Sequence, residues 1–170
     1  FRGRTTGDNP DDFSQTSYGD NNVKPVKKSE SHGTHVAGII AAERQNGIGM
    51  DGVANNVKIM AVRAVPNGDE YDKDVALAIR YAADNGAKVI NTSFGKYYSP
   101  HSDKVREAIA YAGSKDVLIV NAAGNEGADI DTVNVFPNDT FGTGPEVSNT
   151  FLSVGSITSS YGSKLVSGFS

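Results

Sequence analysis

Three short stretches hold residues whose types and spacing can do chemistry. The first is Ser31-His32-Gly33-Thr34-His35-Val36-Ala37-Gly38, in which a histidine opens a run of small and apolar residues. An imidazole titrates near neutral pH and can take up and return a proton, and nothing in a slim apolar helix needs one at its mouth. The second is Asn91-Thr92-Ser93-Phe94-Gly95, a polar, glycine-bearing exit from an apolar run. Such an edge is either an ordinary strand end or a place where an extended peptide pairs with the backbone. The third is Asn121-Ala122-Ala123-Gly124-Asn125-Glu126-Gly127. An asparagine after glycine serves as a turn residue, or its amide can donate to a developing oxyanion.

Rival chemistries fit less well. Gly47-Ile48-Gly49-Met50-Asp51-Gly52 spells a dinucleotide fingerprint, but a helical pattern precedes it and a strand pattern follows, the reverse of the required context. His32 and His35 stand three apart with Gly33-Thr34 between, whereas a zinc protease helix needs spacing of four and an intervening glutamate. His35 reads as a structural residue, packed or partly exposed.

The elements that position these stretches follow from periodicity. Residues 1–30 are polar and aperiodic and read as a long surface loop. A helix is expected over 32–44, with Ser31 as N-cap through its hydroxyl, Val36, Ile39 and Ile40 on one face, and Gly38 allowing close packing. Residues 57–65 read as a strand, broken at Pro66-Asn67-Gly68-Asp69. A helix over 72–84 carries Val75, Ala78, Ile79 and Ala82, with Gly86 as its stop. Residues 87–94 read as a strand covered on both faces, 101–113 as a helix with Val105, Ala108, Ile109 and Ala112 inward, and 117–120 as a strand. The loop over 125–149 is too long for a plain connection. A strand over 150–156 follows, and 164–166 begins a fifth.

Strands alternating with helices imply βαβ units. The fold class is therefore α/β, a mostly parallel, doubly wound sheet with helices on both faces. Functional sites of such sheets gather beyond the carboxyl ends of the strands, where the second and third stretches lie.

Composition bounds the function. At 170 residues the chain forms one domain with room for a core. Its net charge of −4 argues against nucleic acid as the main partner, and Lys24-Pro25-Val26-Lys27-Lys28 reads as a solvated loop. The absence of cysteine excludes disulfides and a thiolate nucleophile. No apolar run approaches the ~20 residues of a membrane-spanning helix.

The three stretches together resemble the subtilisin-like serine proteases (subtilases, peptidase family S8). Residues 31–38 are similar to the family's histidine motif, Val89-Ile90-Asn91-Thr92-Ser93-Phe94-Gly95 to its substrate-binding strand, and residues 120–127 to its oxyanion segment, in the family's order. Phe151-Leu152-Ser153-Val154-Gly155-Ser156 and Ser167-Gly168-Phe169-Ser170 resemble the strands that follow. The resemblance implies an endopeptidase cleaving peptide bonds by Ser-His-Asp acyl transfer. His32 would be the general base and Asn125 the oxyanion donor. Ser93, Phe94 and Gly95 would bind substrate backbone, and Ala122, Ala123 and Gly124 would line the pocket before the scissile bond.

Two motifs of that family are missing. None of Asp8, Asp11, Asp12 or Asp20 ends an apolar strand, and no Gly-Thr-Ser occurs; Ser167 and Ser170 fall before its expected place. The chain therefore reads as a partial catalytic domain, inactive alone, in a secreted or envelope-located parent. A non-catalytic peptide-binding pseudoprotease is the alternative. No cofactor is required for the chemistry. Structural calcium is an expectation from the resemblance, at residues 43–52 with Gln45 and Asn46, or in the acidic loop Asp129 to Asp139. The expected partners are a protein or peptide substrate and, through exposed sheet edges, a second copy of the chain.

Overall fold

A computed structural model describes residues 8–65, 68–140 and 144–170. The elements run α1 (His32–Ala41), α2 (Asp72–Asp84), β1 (Val89–Thr92), α3 (Ser102–Ser114), β2 (Leu118–Ala122), β3 (Phe151–Val154) and a 3₁₀ turn (Gly162–Lys164). The strands form a parallel sheet in the order β1-β2-β3, as the βαβ alternation predicts.

Alternate strand residues face the helices. Ile90, Thr92, Ile119, Asn121 and Phe151 share that face by register. Against it pack Val75, Ala76, Ile79 and Ala83 of α2 and Val105, Ala108, Ile109 and Ala112 of α3. The four inward positions expected of α3 are all buried; in α2, Ala76 and Ala83 join the core and Ala78 is only half-buried. The other sheet face is open: Val89 is 58% exposed and Leu152 52%. β1 thus alternates instead of being covered on both sides, and α1 buries none of its residues.

Both long helices end alike. Gly86 (φ +87°) and Asp116 (φ +58°) take the left-handed conformation just past the caps. Gly86 N–H donates to Ala83 O and Ala87 N–H to Ala82 O; Asp116 N–H donates to Gly113 O and Val117 N–H to Ala112 O. These paired bonds satisfy carbonyls that the helix leaves open.

Several expectations are corrected. Ser31 occupies the N-cap position of α1 with a helical backbone (φ −105°, ψ −10°), so its hydroxyl makes no capping bond. α1 ends three residues early because Val53 and Ala54 N–H take the carbonyls of Ile39 and Ile40. Gly52 makes this approach possible, since a Cβ there would lie 2.4 Å from Ala42 N. Gly38 has nothing within 4 Å of its Cβ position, so close packing is not its use here. Residues 57–65 form no ladder among the described residues, and Val57, Ile59 and Met60 stay exposed; a strand needs a partner edge, and none lies beside them. Of the expected break at 66–69, Pro66 and Asn67 lie outside the described residues. The fifth strand reduces to a single bridge between Ile157 and Val166.

The largest correction concerns the amino-terminal loop. Residues 1–7 lie outside the described residues, but residues 8–18 form a strap across the starts of α2 and α3. Lys73, fully buried, donates to Asp8 Oδ2 (3.1 Å) and Asn9 O (2.9 Å) and lies over the Tyr18 ring (4.3 Å). Tyr18 donates to Asp74 (2.6 Å), Asp11 pairs with His101 (3.0 Å), and Phe13 packs on the core and edge-on to His101.

Candidate functional site

Strand register brings two of the three stretches together. Thr92 pairs with Asn121, so residues 93–95 and 122–124 leave the carboxyl ends of adjacent strands side by side. Ala123 N–H extends the ladder to Val154 O (3.0 Å). Beneath the exits, Thr92 Oγ1 donates to Asn121 Oδ1 (2.6 Å), both residues being buried. Asn121 Nδ2 donates onward to Ala122 O (2.9 Å) and Pro137 O (3.2 Å). A buried amide satisfied in this way fixes the relative height of the two exits.

Each exit is tied into the molecule. On the β1 side, Asn91 Nδ2 donates to Ser93 Oγ (2.8 Å) and Phe94 packs on the core. Gly95 sits over the loop, where a Cβ would meet Phe136 O at 3.3 Å. Lys96 and Phe136 exchange backbone bonds of 2.9 and 2.8 Å. The buried Asp72 carboxylate gathers Lys96 Nζ (2.6 Å), Ser99 Oγ (2.7 Å) and His101 N–H (2.9 Å), binding the segment after β1 to the starts of both long helices. On the β2 side, Gly124 (φ +121°) turns the chain. Gly127 N–H donates to Phe169 O (2.9 Å).

The long loop over 125–149 is folded back onto this frame. Arg106, largely buried, donates to Asn138 Oδ1 from Nε (3.1 Å) and Nη2 (2.6 Å) and lies over the Phe136 ring. Burial holds the Arg106 guanidinium below its ordinary value and the nearby Asp139 carboxyl above its own.

The rim carries one contact that the sequence reading missed. Tyr97 Oη donates to Glu126 Oε2 (2.5 Å), and the same oxygen accepts the Asn125 N–H (3.3 Å). The Glu126 hydrogen bond holds the Tyr97 phenol above its ordinary value. Only the glutamate, inside the third stretch, was visible as a signal; nothing local marks Tyr97 as its partner.

His32 stands at the exposed start of α1, and His35 is exposed as well. No hydrogen bond or ion pair between described residues joins α1 to the exits. α1 is instead coupled to the segment after it: Glu30, just before it, pairs with Arg63. The aspartates preceding His32 have other partners. Asp8 takes Lys73, Asp11 takes His101, Asp12 takes Ser14, and Asp20 accepts Asn22 N–H. Ser167 is buried against Ser156 (2.8 Å), whose N–H donates to Ser170 Oγ (2.6 Å).

The donors expected for calcium lie in two turn-rich loops. Asn46 Oδ1 accepts Ile48 N–H and Asp51 Oδ1 accepts Gln45 N–H, bonds within loop 43–52. In the acidic loop Asp129 Oδ1 is likewise used by Asp131 N–H. Among the described residues no three His, Asp or Glu side chains converge as a metal site. No helix of the described residues is long and apolar enough to cross a membrane.

Comparison with known proteins agrees with the fold and with the family resemblance. The model of the subtilase family (Peptidase_S8) matches residues 2–170. A thermophilic serine proteinase of Bacillus sp. (strain AK1) is 47% identical over 110 residues, 64% of this chain and 27% of that protein. Thermitase of Thermoactinomyces vulgaris is 42% identical over 109 residues, 64% of this chain and 38% of its own length. The cell wall-associated protease of Bacillus subtilis (strain 168) is 45% identical over 99 residues, 58% of this chain and 11% of that protein. Among solved structures, the epidermin leader peptide processing serine protease of Staphylococcus aureus superposes with a TM-score of 0.58 at 26% identity, over 72% of this chain and 33% of that one. The prenylagaramide maturation protease superposes with the same TM-score at 27% identity, over 76% and 43%. The chain thus spans well under half the length of these relatives.

Proposed function

The chain belongs to the subtilase family, and on that premise we propose that it is part of a serine endopeptidase whose cleft opens at the exits of β1 and β2. The observation that carries the proposal is their adjacency. Residues 93–95 present backbone beside residues 122–124, at one depth set by the buried Thr92–Asn121 bond. A peptide lying extended along 93–95 would carry a scissile carbonyl toward Asn125.

In this reading His32 is the general base. It takes the proton of a serine hydroxyl as that oxygen attacks the carbonyl carbon, and returns it to the leaving amine nitrogen as the C–N bond breaks. Asn125 donates its amide to the tetrahedral oxyanion. Ala122, Ala123 and Gly124 leave room for an apolar side chain before the scissile bond. The nucleophile and the orienting aspartate belong to segments of a longer parent, since no Gly-Thr-Ser occurs among the 170 residues. No cofactor takes part. The parent is proposed to be secreted or located in the cell envelope, a reading supported by the cell wall-associated relative.

A serine-directed fluorophosphonate should label the full-length parent and not this chain, and only the parent should cleave a casein-derived peptide. Asn125→Ala in the parent should lower kcat about 100- to 1,000-fold, the usual loss for an oxyanion donor. A parent that binds peptides but is neither labelled nor active is a pseudoprotease, and the reading fails. Labelling of the isolated chain would refute the assignment of the nucleophile to another segment.

We also propose self-association of the isolated chain. Among the described residues the outer edge of β1 carries no strand and residues 57–62 are exposed outside any ladder, and both offer backbone groups that a second copy can take up. Sedimentation showing a strict monomer at high concentration would refute it.

A further inference from the structure

Resting on the protease reading above, we propose that Tyr97 is a positioning residue for the oxyanion end of the cleft, acting through the Glu126 carboxylate. The two rims, residues 93–95 and 122–125, arise from different strands, and beyond the buried Thr92–Asn121 bond no ladder bond joins them. The Tyr97–Glu126 bond spans that gap at the surface, linking residues 29 positions apart.

Both ends of the tie are anchored. Tyr97 follows Lys96, which is bonded to Phe136 in both directions and to the buried Asp72, and precedes Ser99, bonded to the same Asp72. Glu126 precedes Gly127, held by Phe169. The carboxylate oxygen that accepts the phenol also accepts the Asn125 backbone N–H. Pulling Oε2 toward Tyr97 therefore sets where the Asn125 backbone, and the amide it carries, can sit. Gly124 completes the device. Its positive φ (+121°), strained for any residue with a Cβ, delivers Asn125 to the rim beside Tyr97 Oη and Glu126 Oε2.

Two measurements test the assignment separately from the protease reading. In the isolated chain, Tyr97→Phe should raise amide hydrogen exchange at Asn125 several-fold while leaving β2 protection unchanged; unchanged exchange at Asn125 overturns the tie. In the full-length parent, Tyr97→Phe should lower kcat about 3- to 10-fold, well below the ~100–1,000-fold loss of a direct oxyanion donor, with KM within about twofold. Glu126→Ala should do the same, the double variant should be no worse than either single one, and Glu126→Gln, which keeps an acceptor oxygen, should recover most of the loss. Additive losses, or a change in KM alone, overturn the positioning role. A parent that no serine-directed reagent labels overturns the protease reading, while the exchange result still decides the tie.

Discussion

Replacing Asp8 with asparagine tests how the strap over 8–18 is held to the rest of the fold. The ammonium is fully buried and meets Asp8 Oδ2 at 3.1 Å, with Asp8 itself 3% exposed. At an effective dielectric of about 20, that separation corresponds to about 5 kcal/mol of attraction. Taking each ion out of water costs several kcal/mol, so the intact pair contributes little net stability. Removing one partner is another matter: without the Asp8 carboxylate the fully buried Lys73 ammonium keeps Asn9 O and the Tyr18 ring but loses its counter-charge. Asp8→Asn should cost about 3–5 kcal/mol, while Asp8→Asn with Lys73→Met should recover most of that loss. The chain has no tryptophan and seven tyrosines, so urea unfolding is best followed by far-ultraviolet circular dichroism, with tyrosine emission as second probe. A cost below about 1 kcal/mol for the single variant would refute the reasoning, since the strap would then not be held by that charge.

Other perturbations separate further parts of the frame. Thr92→Val leaves the buried Asn121 Oδ1 without its hydroxyl donor and should cost about 1–3 kcal/mol in the same assay. The two helix stops should respond with opposite signs. Gly86→Ala has space for its Cβ but the wrong φ and should lose about 1 kcal/mol net, whereas Asp116→Gly removes the same strain and should raise the midpoint. The Glu30 carboxyl is held below its ordinary value, first by the Arg63 hydrogen bond and then by Val26 N–H. A depressed folded value means that this stabilisation is present above the unfolded carboxylate range and is lost as pH falls through the folded value. Glu30→Gln should flatten that part of the stability-against-pH curve; an unchanged acid slope would count against the pair.

What was legible in the sequence was what local pattern encodes. The inward face of α3 follows from its spacing, and Gly86 stops α2 because only a residue at ease with positive φ continues the chain there. That both exits lie at carboxyl ends of parallel strands followed from βαβ alternation; that β1 and β2 are neighbours is a matter of the strand pairing. Asp116 ends α3 with the same bonds as Gly86 ends α2, yet an aspartate does not announce a left-handed cap. The strap was illegible because its logic is non-local: Asp8 and Lys73 lie 65 positions apart, and a lysine in an amphipathic helix reads as solvent-facing until an acid from elsewhere covers it. Residues 57–65 failed in the opposite direction, since aliphatic composition marks a segment that can join a sheet but does not supply the edge it needs.

The same distinction explains the division within the candidate site. The two strand exits are made by strands that the chain itself pairs, so their mutual height is set by Thr92, Asn121 and the ladder to β3. His32 belongs to a helix that buries none of its residues, while the sheet face away from α2 and α3 displays Val89, Leu118, Leu152 and Val154. An apolar helix and an apolar sheet face left exposed in one chain are each a cost in water, at roughly 25 cal/mol for every Å² of apolar surface not buried. A parent that covers both would gain that stability and hold the imidazole in place by the same contacts. Assembly of the proposed cleft would then be coupled to completion of the fold. In the full-length parent, amide protection of α1 should therefore rise together with serine-directed labelling when unfolded protein is returned to native conditions. Labelling that reaches its full extent while α1 still exchanges freely would break that coupling.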